Sequence, residues 1–370
     1  MIKRLYIHNF RCLENFELLV SRRTSALLVG KNGAGKSTVG VAIEILQRIA
    51  RGTNRVGDLV GFKDFSHGRS ELPIRFEVEV EIDGNLFRYN LAFELPHGFK
   101  EMRVFEECLS HNGVDVFARN AAQVTLSRPS TSEATFVVDW HLVALPIIQV
   151  RSTADPLHVF KEWLARMLIL SPIPALISGD SEGDSLTPHK SCANFGEWFA
   201  GLMAHSPSAY AVIDKFVRQV MPDFRDIKNP IIGRDARSLL VQFQSNPDKA
   251  SLNLDFNQLS DGEKCFFICA VVLASNESYG PVFCFWDEPD NYLSLSEVGQ
   301  FTAELRRSFH ASGQLLVTSH NSEAIQRFSP ENTFWLSRHS HFEPTLVRSI
   351  SDLTLSGSIV DALIRDEIEP

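Results

Sequence analysis

GKNGAGKS, from Gly30 to Ser37, is the stretch that decides the fold. It meets the phosphate-loop pattern G-x-x-x-x-G-K-[ST] at every fixed position, with Gly30, Gly35, Lys36 and Ser37 in place. The flanks agree with the motif. Ser25 to Val29 (SALLV) predicts a short buried strand running into the loop. Lys36 to Ile49 predicts a helix with Val39, Ala42, Ile43, Leu46 and Ile49 on one apolar face. Consecutive backbone N–H groups and the positive end of that helix suit a polyphosphate. Gly33 and Gly35 allow the backbone to come close. Asn32, Gly33, Ala34, Gly35, Lys36, Ser37 and Thr38 are the candidate nucleotide-binding residues, with Lys36 reaching the phosphates and the Ser37 hydroxyl on Mg²⁺. A chance glycine loop would not need a strand before it and a helix after it.

Around the loop, Ile2 to His8 and Leu13 to Val20 alternate as strands, and Arg51 to Ser70 reads as a polar, mobile connection. Ile74, Phe76, Val78, Val80 and Ile82 alternate before Asp83-Gly84, and Phe87, Tyr89, Leu91 and Phe93 alternate after it, which predicts a hairpin. A second hairpin is expected around Asn112-Gly113, between 103–109 and 114–118. An antiparallel β layer thus follows the loop. Pro156 to Leu170, Phe195 to His205 and Ser208 to Met221 have helical patterns, and 171–195, rich in Pro, Ser and Gly, reads as an exposed loop. Strands return from Ile227. The domain expectation is 1–150 as the first half of one lobe, 151–250 as a helical lobe carrying the exposed loop 171–195, and 251–370 as the second half.

That last section carries the remaining motifs. QLSDGEK (Gln258 to Lys264) precedes the apolar helix Cys265–Ser275. Val282 to Trp286 predicts a buried strand that ends in Asp287-Glu288-Pro289. Ser294 to His310 is helical, and the strand Gln314 to Thr318 ends in Ser319-His320-Asn321. An acid at the end of a buried strand, downstream of a phosphate loop, is the Walker B arrangement: Asp287 would hold Mg²⁺ through water, and Glu288 would polarise the attacking water. Taken alone, such an Asp could also begin a helix or a turn.

LSDGE before a helix is similar to the ABC-type ATPase signature LSGGQ or LSGGE, with Leu259, Ser260, Gly262 and Glu263 matching and Asp261 replacing a glycine. Within that class the chain resembles RecF- and SMC-like heads and the ATPase heads of OLD-type bacterial proteins. The residues that carry the resemblance are IKRLYIHNFRCLENFEL, GKNGAGKST, LSDGEK, FWDEPDNYLS and VTSHN, and it covers most of the chain outside 171–195. It implies an α/β fold: an ABC-type phosphate-loop head with a mostly parallel core sheet, an antiparallel β layer and a small inserted helical lobe. It also implies roles. Lys36, Glu288 as general base and His320 as switch histidine are catalytic. Ser37 and Asp287 hold Mg²⁺. Ser260 and Gly262 bind the γ-phosphate of ATP held by a second copy, so the site closes in a head-to-tail homodimer or a higher homo-oligomer. Asn291 to Leu293 lies where such heads place the loop that faces the dimer partner. Gln149, in PIIQV, is the candidate Mg²⁺-sensing glutamine, although a surface glutamine gives the same pattern. Arg11, in NFR, sits where such heads often carry a basic residue near the nucleotide.

The composition sets the outer limits. With 44% hydrophobic and 22% charged residues the chain is an ordinary globular sequence. A net charge of −9 gives no overall basic surface, leaving only the local pairs Arg22-Arg23 and Arg306-Arg307, which are equally ordinary surface arginines. Six cysteines without a C-x-x-C pair fit a reducing, cytoplasmic setting, and no apolar leader or membrane span is expected. The expected activity is Mg²⁺-dependent ATP hydrolysis coupled to DNA maintenance or anti-phage defence through a separate effector such as a nuclease, with DNA as a possible ligand and no membrane partner. No nuclease motif is visible, and the residues after His320 are expected to be too few for the nuclease domain of OLD-type proteins. The alternatives are an ATP-gated scaffold that holds an effector with slow turnover, and a transporter nucleotide-binding subunit. DEPDNYLS and the NFR opening argue against the transporter.

Overall fold

The computed structural model describes residues 1–128, 131–233, 235–244, 250–353 and 359–364. It is mixed α/β, as expected, and divides into two compact units, which are described separately. The first comprises Met1–Arg23, Leu28–Met167 and Pro330–Pro370; the second comprises Thr24–Leu27 and Leu168–Ser329.

In the first unit an antiparallel sheet runs in the order Phe16–Leu19, Ile2–His8, Ile74–Ile82, Asn85–Glu94, Arg103–His111, Val114–Asn120, Gln123–Arg128, Thr131–Val137. Period-two alternation buries Ile74, Phe76, Val78 and Val80 on one face of their strand. Both expected hairpins form, and their turns have the left-handed backbone that pairs of this kind supply: Asp83 and Gly84 at φ 49° and 77°, Asn112 and Gly113 at φ 50° and 81°. A third hairpin, Gln123–Arg128 with Thr131–Val137, was not expected. Helix Pro156–Ala165 begins with Asp155 Oδ1 accepting the Leu157 N–H at 3.0 Å, with proline in its first turn. Its Phe160 packs on Phe87 and Tyr89, at ring separations of 5.9 and 5.6 Å, which holds the helix to the sheet.

The stretch 51–70 is folded, contrary to the expected mobile connection. It contains the short helix Val56–Leu59 and two 3₁₀ turns, and it buries Val56, Val60 and Phe65. Polar anchors explain this: Asn9 Nδ2 donates to the carbonyls of Arg69 and Leu72 at 2.9 and 2.8 Å, and the Ser66 hydroxyl donates to Glu14 at 2.6 Å. Each anchor joins residues far apart in sequence, so polarity of the stretch alone conceals it.

In the second unit three parallel strands run side by side: Leu168–Leu170, Phe283–Trp286 and Gln314–Thr318. The Leu315 N–H donates to the Thr24 carbonyl at 2.9 Å, next to the start of the loop strand Ser25–Val29. Helix Asp261–Ser278 is apolar around its whole circumference from Cys265 to Ala274 and is buried there. Phe267 meets Phe224 and Phe256, and Phe266 meets Phe301 of helix Leu295–Ala311. Helices Phe195–His205 and Ala209–Val220 form as expected. The strands that follow, Phe224–Lys228, Leu240–Phe243 and Leu252–Asp255, make a small antiparallel sheet.

Segment 171–195 departs from the exposed-loop reading. Ser171 and Ile173 donate to the carbonyls of Lys190 and Ser191 at 2.8 and 3.1 Å, and Cys192 is fully buried. Lys264, itself buried, donates from Nζ to the Pro174 carbonyl at 3.2 Å. Prolines and serines that look loop-like in one dimension are here fastened near both ends of the segment, while Glu182, Gly183 and Asp184 in its middle are exposed.

All six cysteines are free. Burial raises the thiols of Cys192, Cys265, Cys269 and Cys284, those of Cys192 and Cys269 well above the ordinary value and that of Cys265 to about 12. Among the described residues no helix is long and apolar enough to cross a membrane.

Candidate nucleotide-binding site

The phosphate loop lies in the first unit. Gly35 ends the loop at φ 96° and precedes helix Lys36–Ala50, which has no acidic residue in its first turn and no side-chain cap. Glycine at the N-cap offers no side chain to accept from the helix's first N–H groups. A Cβ at Gly35 would lie 2.8 Å from Thr345 Oγ1 and 3.0 Å from Cys12 Sγ, so close packing as well as the left-handed backbone requires glycine there. Gly30 is constrained by contact: a Cβ would lie 2.1 Å from the Leu336 carbonyl oxygen. Ala34 is buried, while Asn32, Gly33 and Ser37 are exposed. Lys36 is only 6% exposed, and its Nζ donates to the Gly30 and Lys31 carbonyls at 2.8 and 3.2 Å. The loop thus holds its cation against its own backbone. Thr38, half-buried, lies 3.8 Å from Cys12 Sγ.

Two weaker candidates sit in the same unit. Arg11 has φ 54°, donates from Nε to Asp64 Oδ1 at 2.9 Å and from its N–H to the Asp64 carbonyl at 2.7 Å. Its guanidinium already has a carboxylate partner. Gln149 is exposed and follows buried Ile148.

The second unit holds the acidic pair Asp287-Glu288, the candidate switch histidine His320 and the signature-like stretch LSDGE. Trp286 and Val317 are directly paired at the ends of neighbouring parallel strands, so the segments that follow them emerge side by side. Thr318 joins them: its hydroxyl donates to Asp287 Oδ1 at 2.7 Å and accepts the Glu288 N–H at 2.9 Å. Glu288 has a left-handed backbone, φ 49°. Its carboxylate lies 3.2 Å from His320 Nε2 through Oε1 and accepts from Asn291 Nδ2 at 2.6 Å through Oε2. The structure therefore brings Asp287, Glu288 and His320 together.

In the signature, Leu259 is buried and Ser260 caps helix Asp261–Ser278. Glu263 Oε2 accepts from the Ser260 N–H at 2.8 Å and from its hydroxyl at 2.7 Å, forming a capping box. Exposed Ser260 is thereby fixed at a helix start. Gly262 approaches the dimer-loop candidate: its Cβ would lie 3.0 Å from the Tyr292 carbonyl oxygen. Ser294 and Glu297 repeat the capping box at helix Leu295–Ala311.

Motif reading gave no role to Thr318, Asp290, Ser319 or Thr345. Thr318 and Ser319 lie inside VTSHN, but nothing in the motif shows which neighbour they join. The two capping boxes were legible as S-x-x-E at 260–263 and 294–297.

Among the described residues no cluster of three or more His, Cys, Asp or Glu could hold a metal on protein ligands alone. The strand-end carboxylate of Asp287 and the exposed hydroxyl of Ser37 are each oxygen donors of the kind that Mg²⁺ takes.

Residues 1–91 match the AAA ATPase domain family. No curated protein matches the chain. Among solved structures, an SMC head bound to the C-winged helix domain of ScpA matches with a TM-score of 0.55 at 14% identity, covering 95% of this chain and 98% of that one. The SMC head domain from Thermotoga maritima matches with a TM-score of 0.47 at 15% identity, covering 94% and 98%. An SMC head with an extended coiled coil, bound to the C-terminal domain of ScpA derived from Pyrococcus furiosus, matches at 0.49 and 12%, covering 99% and 98%.

Proposed function

We propose that this chain, an SMC- and RecF-like ABC-type ATPase head, hydrolyses ATP with Mg²⁺ in sites shared between two copies. The observation that carries the reading is Glu288, next to Asp287 and 3.2 Å from His320, at the ends of two parallel strands. The phosphate loop binds the β- and γ-phosphates through backbone N–H groups and Lys36, with Asn32 to Thr38 lining it. For Lys36 this means exchanging the Gly30 and Lys31 carbonyls for phosphate oxygens. On the family pattern Ser37, Asp287 and Gln149 each have the part of a Mg²⁺-binding residue, and the ion would supply charge neutralisation on the phosphates. Glu288 orients and deprotonates the attacking water, and His320 touches the γ-phosphate. Arg11 adds positive charge near the nucleotide only if it leaves Asp64.

Ser260 and Gly262 act on the ATP of a second copy. The support is local: an exposed serine at the start of a helix, followed by a glycine, presents backbone N–H groups without bulk. A two-fold head-to-tail arrangement closes two sites at once, and ATP between the copies stabilises the dimer by mass action.

Glu288→Gln tests the reading. ATP binding should persist while phosphate release falls roughly 10²–10⁴-fold, the usual size of general-base loss. The mutant should accumulate as an ATP-bound dimer in light scattering. Hydrolysis at the wild-type rate would remove Glu288 as the base.

For the output we propose a separate effector, such as a nuclease, in DNA maintenance or anti-phage defence. The support is the resemblance of the NFR opening and the VTSHN strand end to RecF- and OLD-type heads. Phosphate release with and without single- and double-stranded DNA tests it. A rate indifferent to both would favour the ATP-held scaffold.

A further inference from the structure

Asp290 is 5% exposed and Ser319 1% exposed, and they meet: Ser319 Oγ donates to Asp290 Oδ2 at 2.9 Å. The other oxygen, Oδ1, is buried with no hydrogen-bond partner among the described residues. Burial raises the Asp290 carboxyl above its ordinary value, the Ser319 hydrogen bond opposes this, and the nearby Glu288 charge adds to it. A buried carboxyl whose side-chain partner reaches only one of its two oxygens is a poor device for stability. Its place in the chain indicates another use.

Two residues before it, Glu288 has the left-handed backbone that non-glycine residues seldom adopt. Such a conformation persists only where its surroundings impose it. The Thr318 hydroxyl fixes the N-terminal side by accepting the Glu288 N–H at 2.9 Å. The Ser319–Asp290 bond fixes the C-terminal side. Both anchors are consecutive residues of one strand end, directly before His320. Ser319 Oγ is itself oriented by accepting the Asn321 N–H at 2.9 Å. Pro289, the single residue between Glu288 and Asp290, stiffens the link between them.

We propose that Asp290 is a positioning residue for the hydrolytic step, tethered to Ser319 so that Glu288 keeps its left-handed backbone and its carboxylate stays beside His320. The inference rests on the role of Glu288 proposed above. Without the tether the turn relaxes, and the carboxylate swings away while the phosphate loop is untouched.

The test is steady-state hydrolysis by the full chain carrying Asp290→Ala, Asp290→Asn, Ser319→Ala or the double change Asp290→Ala with Ser319→Ala, with thermal denaturation alongside. Asp290→Ala and Ser319→Ala should each lower kcat by about 10–100-fold, the effect of an ångström-scale misplacement, with KM for ATP within about twofold. Asp290→Asn has the same shape and an oxygen for Ser319, and should stay within about threefold of wild type. The double change should be no slower than the worse single one, because both break one bond. If Asp290→Ala does not fold, Ser319→Ala carries the test, since it removes only a hydroxyl. Wild-type kcat in a folded Asp290→Ala or in Ser319→Ala overturns the proposal, as does an Asn variant as slow as the Ala one or a multiplicative double change. Glu288→Gln measured in parallel separates the two ideas. If it is inactive while Asp290→Ala is unaffected, only the tether falls; if it hydrolyses normally, the base assignment falls.

Discussion

His320 Nε2 lies 3.2 Å from Glu288 Oε1, across the ends of two parallel strands in which Trp286 pairs with Val317. A histidine there can hold the carboxylate in place before nucleotide arrives and can donate to a phosphate oxygen afterwards. Both tasks act on the hydrolytic step rather than on capture of ATP. His320→Ala should therefore lower kcat by roughly tenfold or more, as loss of one transition-state donor does, and leave ATP affinity nearly unchanged. Single-turnover phosphate release and an ATP titration check it; a large loss of affinity at unchanged turnover would assign His320 to binding instead.

Lys36 Nζ donates into the loop backbone, to the Gly30 and Lys31 carbonyls. Lys36→Ala removes the cation proposed above to face the phosphates and also leaves those two carbonyls without that donor. ATP binding should weaken about 100-fold or more, the combined effect of lost charge-assisted hydrogen bonds and a loosened loop. Calorimetric titration with Mg-ATP measures this, and unchanged affinity would remove the loop as the nucleotide site.

The β layer contains a buried acid whose effect on stability has a definite sign with pH. Glu107 is fully buried and accepts the N–H groups of Ala144 and Leu145 at 2.7 and 2.8 Å and the Tyr89 hydroxyl at 3.0 Å. Arg119 lies 3.7 Å away and is equally dry. Burial outweighs the pairing on both sides, raising the Glu107 carboxyl above 4.5 and lowering Arg119. A raised carboxyl favours the folded state below its unfolded value, and that contribution is lost as pH rises through the raised one. Glu107→Gln removes this titration. The stability of wild type minus that of the variant, from urea denaturation, should thus be larger in acid than at neutral pH. A difference that grows toward neutral pH would mean that the ion pair with Arg119 dominates.

How much was legible depended on whether the cause was local. The loop strand, helix Lys36–Ala50 and both glycine hairpins follow from short-range pattern and turn chemistry, and their residues suffice to recognise them. Asp287, Glu288 and His320 were legible because each ends a buried strand. The burial of 51–70 and the anchoring of 171–195 were not, because Asn9, Glu14 and Lys264, which hold them, lie far off in sequence. Thr318 and Asp290 were hidden for the same reason: their partners lie across strand ends some thirty residues apart. The left-handed Glu288 was hidden too, since nothing in DEPDN requires a non-glycine residue to adopt it.

The shared-site reading makes a prediction that no single-chain mechanism makes. Ser260 starts a helix, is exposed and has its hydroxyl turned onto Glu263, so a larger residue there blocks approach to the signature without entering the core. Ser260→Arg should abolish hydrolysis by a homodimer while leaving ATP binding at its own phosphate loop intact. Lys36→Ala should abolish it for the opposite reason, since its signature is intact but neither loop holds nucleotide. Mixed, the two proteins can form a heterodimer in which one site combines the wild-type loop of the Ser260→Arg chain with the wild-type signature of the Lys36→Ala chain. The other site carries both defects. With random pairing about half the dimers are mixed, each with one working site of two, so activity should recover to roughly a quarter of wild type if the sites work independently. The measurement is phosphate release on mixing, with heterodimer formation followed by two affinity tags. Heterodimers that form and yet restore no hydrolysis would show that the signature does not serve the partner's ATP.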